Sequence, residues 1–356
     1  MSAARRKQSK SNMILLVAIA LLAAVLIGLV SCGLPAVKQD DTTKPPVSTG
    51  GETTGTTAAT DPAPSTQPET QPETAPSTQP PTLPKPDPVT MRVVADVTVR
   101  AEADEKAASV GKLALGDQVD MISTGDGWSA ILMDDTVGFV PSKTLRGVGE
   151  YLVVIDPGHQ GKGNFEKEPD GPGSTVMKNK VAAGTTGVST KIPEYELTLA
   201  VSLKLRDILE ARGYEVVMIR EDHNVNISNA ERAIIANELY ADAFVRVHAN
   251  GAEDNSVNGV MTMCQTKKNP YNAELYQFSK ELSTAVLDET VAATGARKQF
   301  VWEVDTMSGI NWCQVPVTII EMGYMSNPAE DELMATEEYR QKLAEGIANG
   351  IDKYFE

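Results

Sequence analysis

Aromatic residues are scarce in this 356-residue chain, and none precedes Trp128. The early stretch instead concentrates proline, with 13 of the 21 prolines falling between Pro35 and Pro88. A segment without aromatics and rich in Pro, Thr and Glu buries too little apolar area to offset its ordering entropy. The foldable part is therefore residues 89 to 356. Cysteine is limited to Cys32, Cys264 and Cys313. Three cysteines exclude a disulfide-built scaffold, and no C-x-x-C spacing offers a zinc or redox site. Basic charge is in the minority: 32 Lys and Arg against 48 Asp and Glu, a formal net of −16. Four of the basic residues (Arg5, Arg6, Lys7, Lys10) lie ahead of the first apolar run, and without them the balance is 28 minus 48, or −20. Such a chain is repelled by nucleic acid, which excludes that class of partner.

What is present first is an address. Residues 13 to 30 read MILLVAIALLAAVLIGLV behind the basic cluster. Residues 1–32 thus form a signal peptide or a short signal anchor. The positive charges keep the N-terminal side in the cytoplasm and place everything after residue 32 outside. Leu29-Val30-Ser31-Cys32-Gly33 resembles a bacterial lipobox, which implies lipidation of Cys32. An uncleaved anchor is the alternative, and either reading tethers the chain to the membrane facing the cell wall. Residues 33–88 read as a disordered linker with a degenerate repeat in PSTQPETQPETAPSTQP. In a polyproline II conformation it spans on the order of 100 Å or more.

From residue 89 to 147 the pattern changes to short alternating runs, MRVVADVTVRA, KLALGDQVDMIS, WSAILMD and TVGFVPS. Turn signals separate them at Asp104, Gly116, Gly125-Asp126-Gly127 and Asp134-Asp135. Four or five strands in so short a span predict a small all-β barrel. Val97-Thr98-Val99-Arg100, Gly116-Asp117, Gly127-Trp128 and Val137-Gly138-Phe139-Val140 resemble a bacterial SH3 domain. That resemblance implies binding of wall peptides; a structural spacer with Trp128 in its core is the alternative.

Residues 150–356 alternate strand-like and helix-like runs, which predicts an α/β fold with an open twisted sheet flanked by helices. YLVVID (151–156) is a buried-strand run ending at Pro157-Gly158-His159. Leu197, Val201, Leu205 and Leu209 mark a helix from about Glu194 to Arg212, stopped by Gly213. Strands are expected over 216–220, 243–248, 260–264 and 315–321, and a helix over 272–290. Ser228-Asn229-Ala230-Glu231 is a capping box, and Asn327-Pro328 supplies an N-cap with an N1 proline.

Of three histidines, His159 follows the first of these strands and His248 ends the third, while Glu321 ends the last. Ligand sites in open α/β sheets gather at the carboxyl ends of strands. The ordered pieces are Val154-Ile155-Asp156-Pro157-Gly158-His159, Glu194, Ile219-Arg220, Glu231-Arg232, Ala243-Phe244-Val245-Arg246-Val247-His248-Ala249-Asn250, and Val317 to Glu321 followed by Gly323-Tyr324. Together they resemble the zinc-dependent N-acetylmuramoyl-L-alanine amidases of the third amidase family, over essentially all of 150–356. The resemblance implies that His159, Glu194 and His248 ligate Zn2+, that Glu321 is the catalytic carboxylate, and that the substrate is peptidoglycan. The chemistry agrees: two imidazoles and one carboxylate leave a fourth tetrahedral position for water. A departure is the long loop expected from Gln160 to Pro193, rich in Gly, Lys and Thr.

Glu196 rivals Glu194 as third ligand, although two residues apart on a helix they point about 200° away from each other. His223 reads as a surface residue and Asn250 as a turn residue or a substrate-orienting one. Cys264 and Cys313 are candidates for a disulfide in an oxidising compartment. Two other functions remain open at this stage: a wall-peptide-binding protein with an inactive hydrolase domain, and a zinc peptidase or deacetylase acting on another wall bond. Any activating partner is not legible.

Overall fold

The computed structural model describes residues 87–356 apart from Asp134 and Asp135. The expected signal segment, the lipobox with Cys32, the linker up to residue 86 and the turn at Asp134-Asp135 lie outside the described residues. Among those described, no helix is long and apolar enough to cross a membrane.

Seven strands, β1 (Val89–Val93), β2 (Val97–Arg100), β3 (Ser109–Leu113), β4 (Gln118–Gly125), β5 (Trp128–Met133), β6 (Thr136–Pro141) and β7 (Leu145–Gly147), make one antiparallel sheet in the order β3-β2-β6-β5-β4-β1-β7. Gly125 pairs with Trp128, and Asp126 and Gly127 between them have φ of 52° and 80°. Positive φ at both central residues is the turn that matches strand twist, which is why Asp-Gly occurs there. Val93, Val99, Val119, Ile131, Val140 and Leu145 form the core of this sheet. Trp128 is half-buried and outside that cluster.

The rest of the chain runs β8 (Leu152–Pro157), β9 (Asn164–Pro169), β10 (Met177–Val181), α1 (Glu194–Ala211), β11 (Glu215–Met218), α2 (Asn229–Glu238), β12 (Ala243–Asn250), β13 (Val260–Cys264), α3 (Tyr276–Thr294), β14 (Lys298–Glu303), α4 (Ser308–Asn311), β15 (Val317–Tyr324), α5 (Pro328–Met334) and α6 (Glu337–Phe355). A six-stranded sheet has the order β11-β8-β12-β15-β13-β14. The first four strands are mutually parallel, β13 is antiparallel to β15, and β14 is parallel to β13. Alternate residues of β8 serve opposite faces, as strand geometry requires. Val153 and Ile155 pack under the apolar stripe of α1 (Leu197, Val201, Leu205, Leu209) and beneath α3 and α6. Leu152 and Val154 pack on the other face with Ala233, Ala236 and Ile310. Helices α3 and α6 meet backbone to backbone: a Cβ on Gly350 would lie 2.4 Å from Val286 Cα. The capping signals are realised, with Ser228 and Glu231 exchanging both bonds of the box and Asn327 capping α5.

Two elements depart from expectation. The segment 160–193 is not a plain loop but carries the antiparallel hairpin β9–β10. NFEKEP and MKNKV have no apolar alternation, so nothing local announces strands. The hairpin is held from outside, by Trp312 Nε1 donating to Pro169 O at 2.9 Å and by Lys178 Nζ donating to Thr306 O. The edge strand β14 was also not foreseen; its Phe300 and Trp302 are exposed. The proposed Cys264–Cys313 bond is absent, since both thiols are free and buried.

The antiparallel sheet is fastened to the amino-terminal end of β12. Arg92 Nη2 lies 2.7 Å from Asp242 Oδ1, and Arg146 Nη1 lies 2.6 Å from Asp242 Oδ2. The same carboxylate accepts the Leu152 N–H at 2.8 Å. This junction sits at the opposite end of the parallel strands from their carboxyl ends.

Candidate metal centre and cleft

His159 stands one residue past Gly158, directly beyond β8. Its φ is 61°, a conformation that costs an L-residue about 1–2 kcal/mol. Surrounding bonds hold it there: Arg232 Nη2 donates to His159 O at 3.0 Å, and His159 Nδ1 meets Ala182 O at 3.0 Å. A carbonyl partner makes Nδ1 the protonated nitrogen and leaves the Nε2 lone pair facing inward. Gly158 must lack a side chain, because a Cβ there would lie 2.4 Å from His248 Cε1. His248 ends the run of parallel pairing in which it faces Glu321 across β12 and β15.

Glu194 opens α1 and is 3 % exposed. Its Oε1 lies 3.1 Å from His159 Nε2 and 3.1 Å from His248 Nδ1, and it accepts the Ala249 N–H at 3.1 Å. Its Oε2 accepts the Thr185 N–H at 2.8 Å. Ligand atoms of His159, Glu194 and His248 all lie within 4.8 Å of one another. Burial opposes the charged form of Glu194, but the two imidazoles overrule it and hold the carboxyl well below the usual range. Burial likewise opposes protonation of His159, yet Glu194 raises its pKa. His248, more deeply enclosed and beside His159, is pushed down.

Glu321 is half-buried in the same cleft, and its Oε2 has no hydrogen-bond partner. Burial first, and the Glu194 carboxylate second, raise its pKa well above the ordinary value. The Glu194 carboxylate and the two imidazoles form a donor set that fits a divalent cation of borderline softness, with the unpartnered Glu321 Oε2 in the same cleft. The cleft around them encloses about 570 Å³ and is lined further by Gly184, Thr185, Asn250 and Ser326.

The four residues singled out from the sequence are thus brought together. Glu196 is exposed and takes no part. His223 is exposed, its ring edge-on to Tyr195 at 5.1 Å between centroids. Asn250 is the last residue of β12 and lines the cleft, with its Oδ1 accepting the Gly251 N–H at 2.8 Å. Cys32 lies outside the described residues. Sequence reasoning missed the layer beneath the site. Asp156 accepts Arg232 Nη1 at 2.6 Å and Arg246 Nε at 2.8 Å, all three side chains being buried. The signal was there: arginine in the middle of the buried run AFVRVH demands a partner.

Comparison with known proteins places this arrangement. The family described as N-acetylmuramoyl-L-alanine amidase matches residues 153–353. The N-acetylmuramoyl-L-alanine amidase Rv3717 of Mycobacterium tuberculosis is 30 % identical over 219 residues, covering 59 % of this chain and 88 % of its own. The probable cell wall amidase LytH of Staphylococcus aureus is 23 % identical over 268 residues, 73 % of this chain and 78 % of its own. Among solved structures, the N-acetylmuramyl-L-alanine amidase Ami1 of Mycobacterium smegmatis superposes with a TM-score of 0.53 at 28 % identity, covering 57 % of this chain and 96 % of that one. With the family match spanning more than half the chain and containing every residue of the cleft, the protein belongs to the N-acetylmuramoyl-L-alanine amidase family.

Proposed function

We propose that the chain hydrolyses the amide between N-acetylmuramic acid and L-alanine in peptidoglycan, with His159, Glu194 and His248 holding zinc and Glu321 carrying the proton. The observation that supports this best is the convergence of three ligand atoms within 4.8 Å beside a carboxylate whose Oε2 is unpartnered. Zinc bound there supplies Lewis acidity, polarising an amide carbonyl and lowering the pKa of water toward about 7. The Thr185 and Ala249 N–H groups fix the Glu194 carboxylate, and the Ala182 carbonyl fixes the His159 tautomer. Glu321 Oε2 takes a proton from the attacking water as the C–O bond forms, then delivers it to the amide nitrogen, so that the C–N bond breaks and the amine leaves.

A cell-wall substrate puts the enzyme outside the cytoplasm. We take residues 150–356 as the catalytic domain and the 89–147 sheet as an SH3-like module that holds wall peptides. Cys32 is proposed as the lipid attachment that tethers the enzyme to the membrane. Lipid labelling that persists in Cys32→Ala would remove that last assignment. The catalytic reading is tested by digesting purified peptidoglycan and weighing the products. Intact stem peptides with a free L-alanine amine are expected. Released acetate, or peptides cleaved within the stem, would replace the amidase with a deacetylase or a peptidase. No product at all would favour a wall-binding protein with a silent hydrolase domain.

A further inference from the structure

Past His248 and Glu321 the cleft continues into a second, narrower cavity of about 240 Å³. Asn229, Arg246, Met263, Met307, Ser308 and Gly309 line it. Arg246 is its one cation, and it is 4 % exposed. Two residues apart on β12, Arg246 and His248 project from the same face of the sheet. Arg246 Nε donates to Asp156 Oδ2 at 2.8 Å and Nη2 donates to Asn229 Oδ1 at 2.8 Å. Nη1 makes no hydrogen bond among the described residues. Asp156 also serves Arg232, whose remaining nitrogens are taken by the carbonyls of Ile227, Pro157 and His159 and by Gln160 Oε1. One carboxylate therefore answers two guanidinium groups, and Arg246 shares the lining of the cavity with Glu321. No ion pair joins Arg246 to Glu321 among the described residues. Buried cations require an anionic or strongly polar partner. Gly309 packs directly against the guanidinium, with Nη1 in the place a side chain would take: a Cβ built there would lie 1.4 Å from it.

We propose that Arg246 binds a carboxylate of the stem peptide next to the scissile amide, and so determines specificity for acidic over amidated stems. Resting on the amidase reading, it assigns the two ends of the cleft. The wide 570 Å³ side takes the bulky glycan, and the narrow side takes the peptide. In muramyl peptides the residue after L-alanine is a γ-linked D-glutamate, whose α-carboxyl is either free or a carboxamide. A free carboxylate meets Nη1 as a charge-assisted bond; a carboxamide presents only a neutral oxygen.

The test is calorimetric binding to the zinc-loaded full chain of three probes. These are L-alanyl-D-glutamate with its γ-carboxyl blocked as the methylamide, the α-carboxamide of the same compound, and N-acetylmuramic acid with its free lactyl carboxylate. Wild type should bind the acid dipeptide roughly tenfold or more tightly than the carboxamide, the ordinary worth of a hydrogen bond to a charged group. Arg246→Lys should lose most of that ratio. Gly309→Ala, whose Cβ would overlap the guanidinium and force it from its place, should lose it too. Equal affinity of wild type for the two dipeptides overturns the proposal, whether or not Arg246→Lys folds. Loss in the variants confined to N-acetylmuramic acid overturns it as well, by giving the arginine to the lactyl side. Stem-peptide release from peptidoglycan, measured on wild type alone, separates failure of this inference from failure of the amidase reading.

Discussion

Glu194 and Glu321 face one cleft in opposite states. Glu194 accepts two backbone N–H groups and contacts two imidazoles, whereas Glu321 Oε2 has no partner. The proposed division of labour, Glu194 as ligand and Glu321 as proton carrier, follows that difference. Glu321→Gln should keep zinc and lose turnover by roughly 10²- to 10⁴-fold, the range of general acid–base catalysis. Glu194→Gln should lose zinc and activity together, with partial rescue by added zinc. A zinc-poor Glu321→Gln, or one with near-normal turnover, reverses the assignment.

Metal removal gives a second expectation. The purified chain should carry about one zinc, as one three-ligand site allows. His159→Ala and His248→Ala should carry little. Because a ligand that binds only the folded state stabilises it, zinc added after chelation should raise the melting temperature of wild type. The same addition should leave His248→Ala nearly unmoved. Equal metal content and equal shifts in all three proteins would dismiss the site.

The Asp156 group predicts an acid limb. Burial opposes ionisation of this carboxyl, but Arg232 and Arg246 hold its pKa well below the ordinary 3.8. With the folded value depressed, the unfolded chain binds the proton first. The contribution to stability is therefore complete above about pH 5 and fades as pH falls through 4. Asp156→Asn should lose about 3–5 kcal/mol at pH 7, because two buried cations lose their counter-charge. Its urea midpoint should also depend less on pH between 5 and 3. A variant with the wild-type pH dependence would contradict this.

Asp242 joins the two sheets. Asp242→Asn weakens the contacts to Arg92 and Arg146, and bonds to charged groups are worth about 1.5–3 kcal/mol each. Stability should fall by that order in urea melts. The double variant Asp242→Asn/Arg146→Ala should lose less than the two single losses added, since both act on one contact. Strict additivity would show that the contact contributes nothing.

Cys264 and Cys313 should react only after unfolding. Burial pushes their thiols up to about 11 and about 12 respectively, so little thiolate forms near neutrality. Alkylation of the native chain without reductant should leave both unmodified, and alkylation in denaturant should label both. A Cys264–Cys313 cross-linked peptide would disprove the free state.

Features whose cause is local or periodic could be read directly from the chain. The leucine stripe of α1, the caps at Ser228 and Asn327, the Asp126-Gly127 turn and the buried runs of β8, β12 and β15 are each dictated by neighbours within a few residues. That His159 follows β8 closely was legible for the same reason, whereas β12 runs on to Asn250 and β15 to Tyr324, so His248 and Glu321 stand near the carboxyl ends of their strands and do not end them as their apolar runs suggested. Helix spacing says that Glu194 and Glu196 diverge but not which one turns inward; the family resemblance favoured Glu194, and the tertiary structure buries it between the two histidines while leaving Glu196 exposed. Tertiary structure alone made strands of NFEKEP and MKNKV, whose pairing is supported by Trp312 and Thr306 from well over a hundred residues downstream. It also placed Asp156 between Arg232 and Arg246, 76 and 90 residues away in the chain. Contacts at that separation leave no periodicity in the sequence, because the energy that fixes them is Coulombic and appears only after the sheet has brought the charges together.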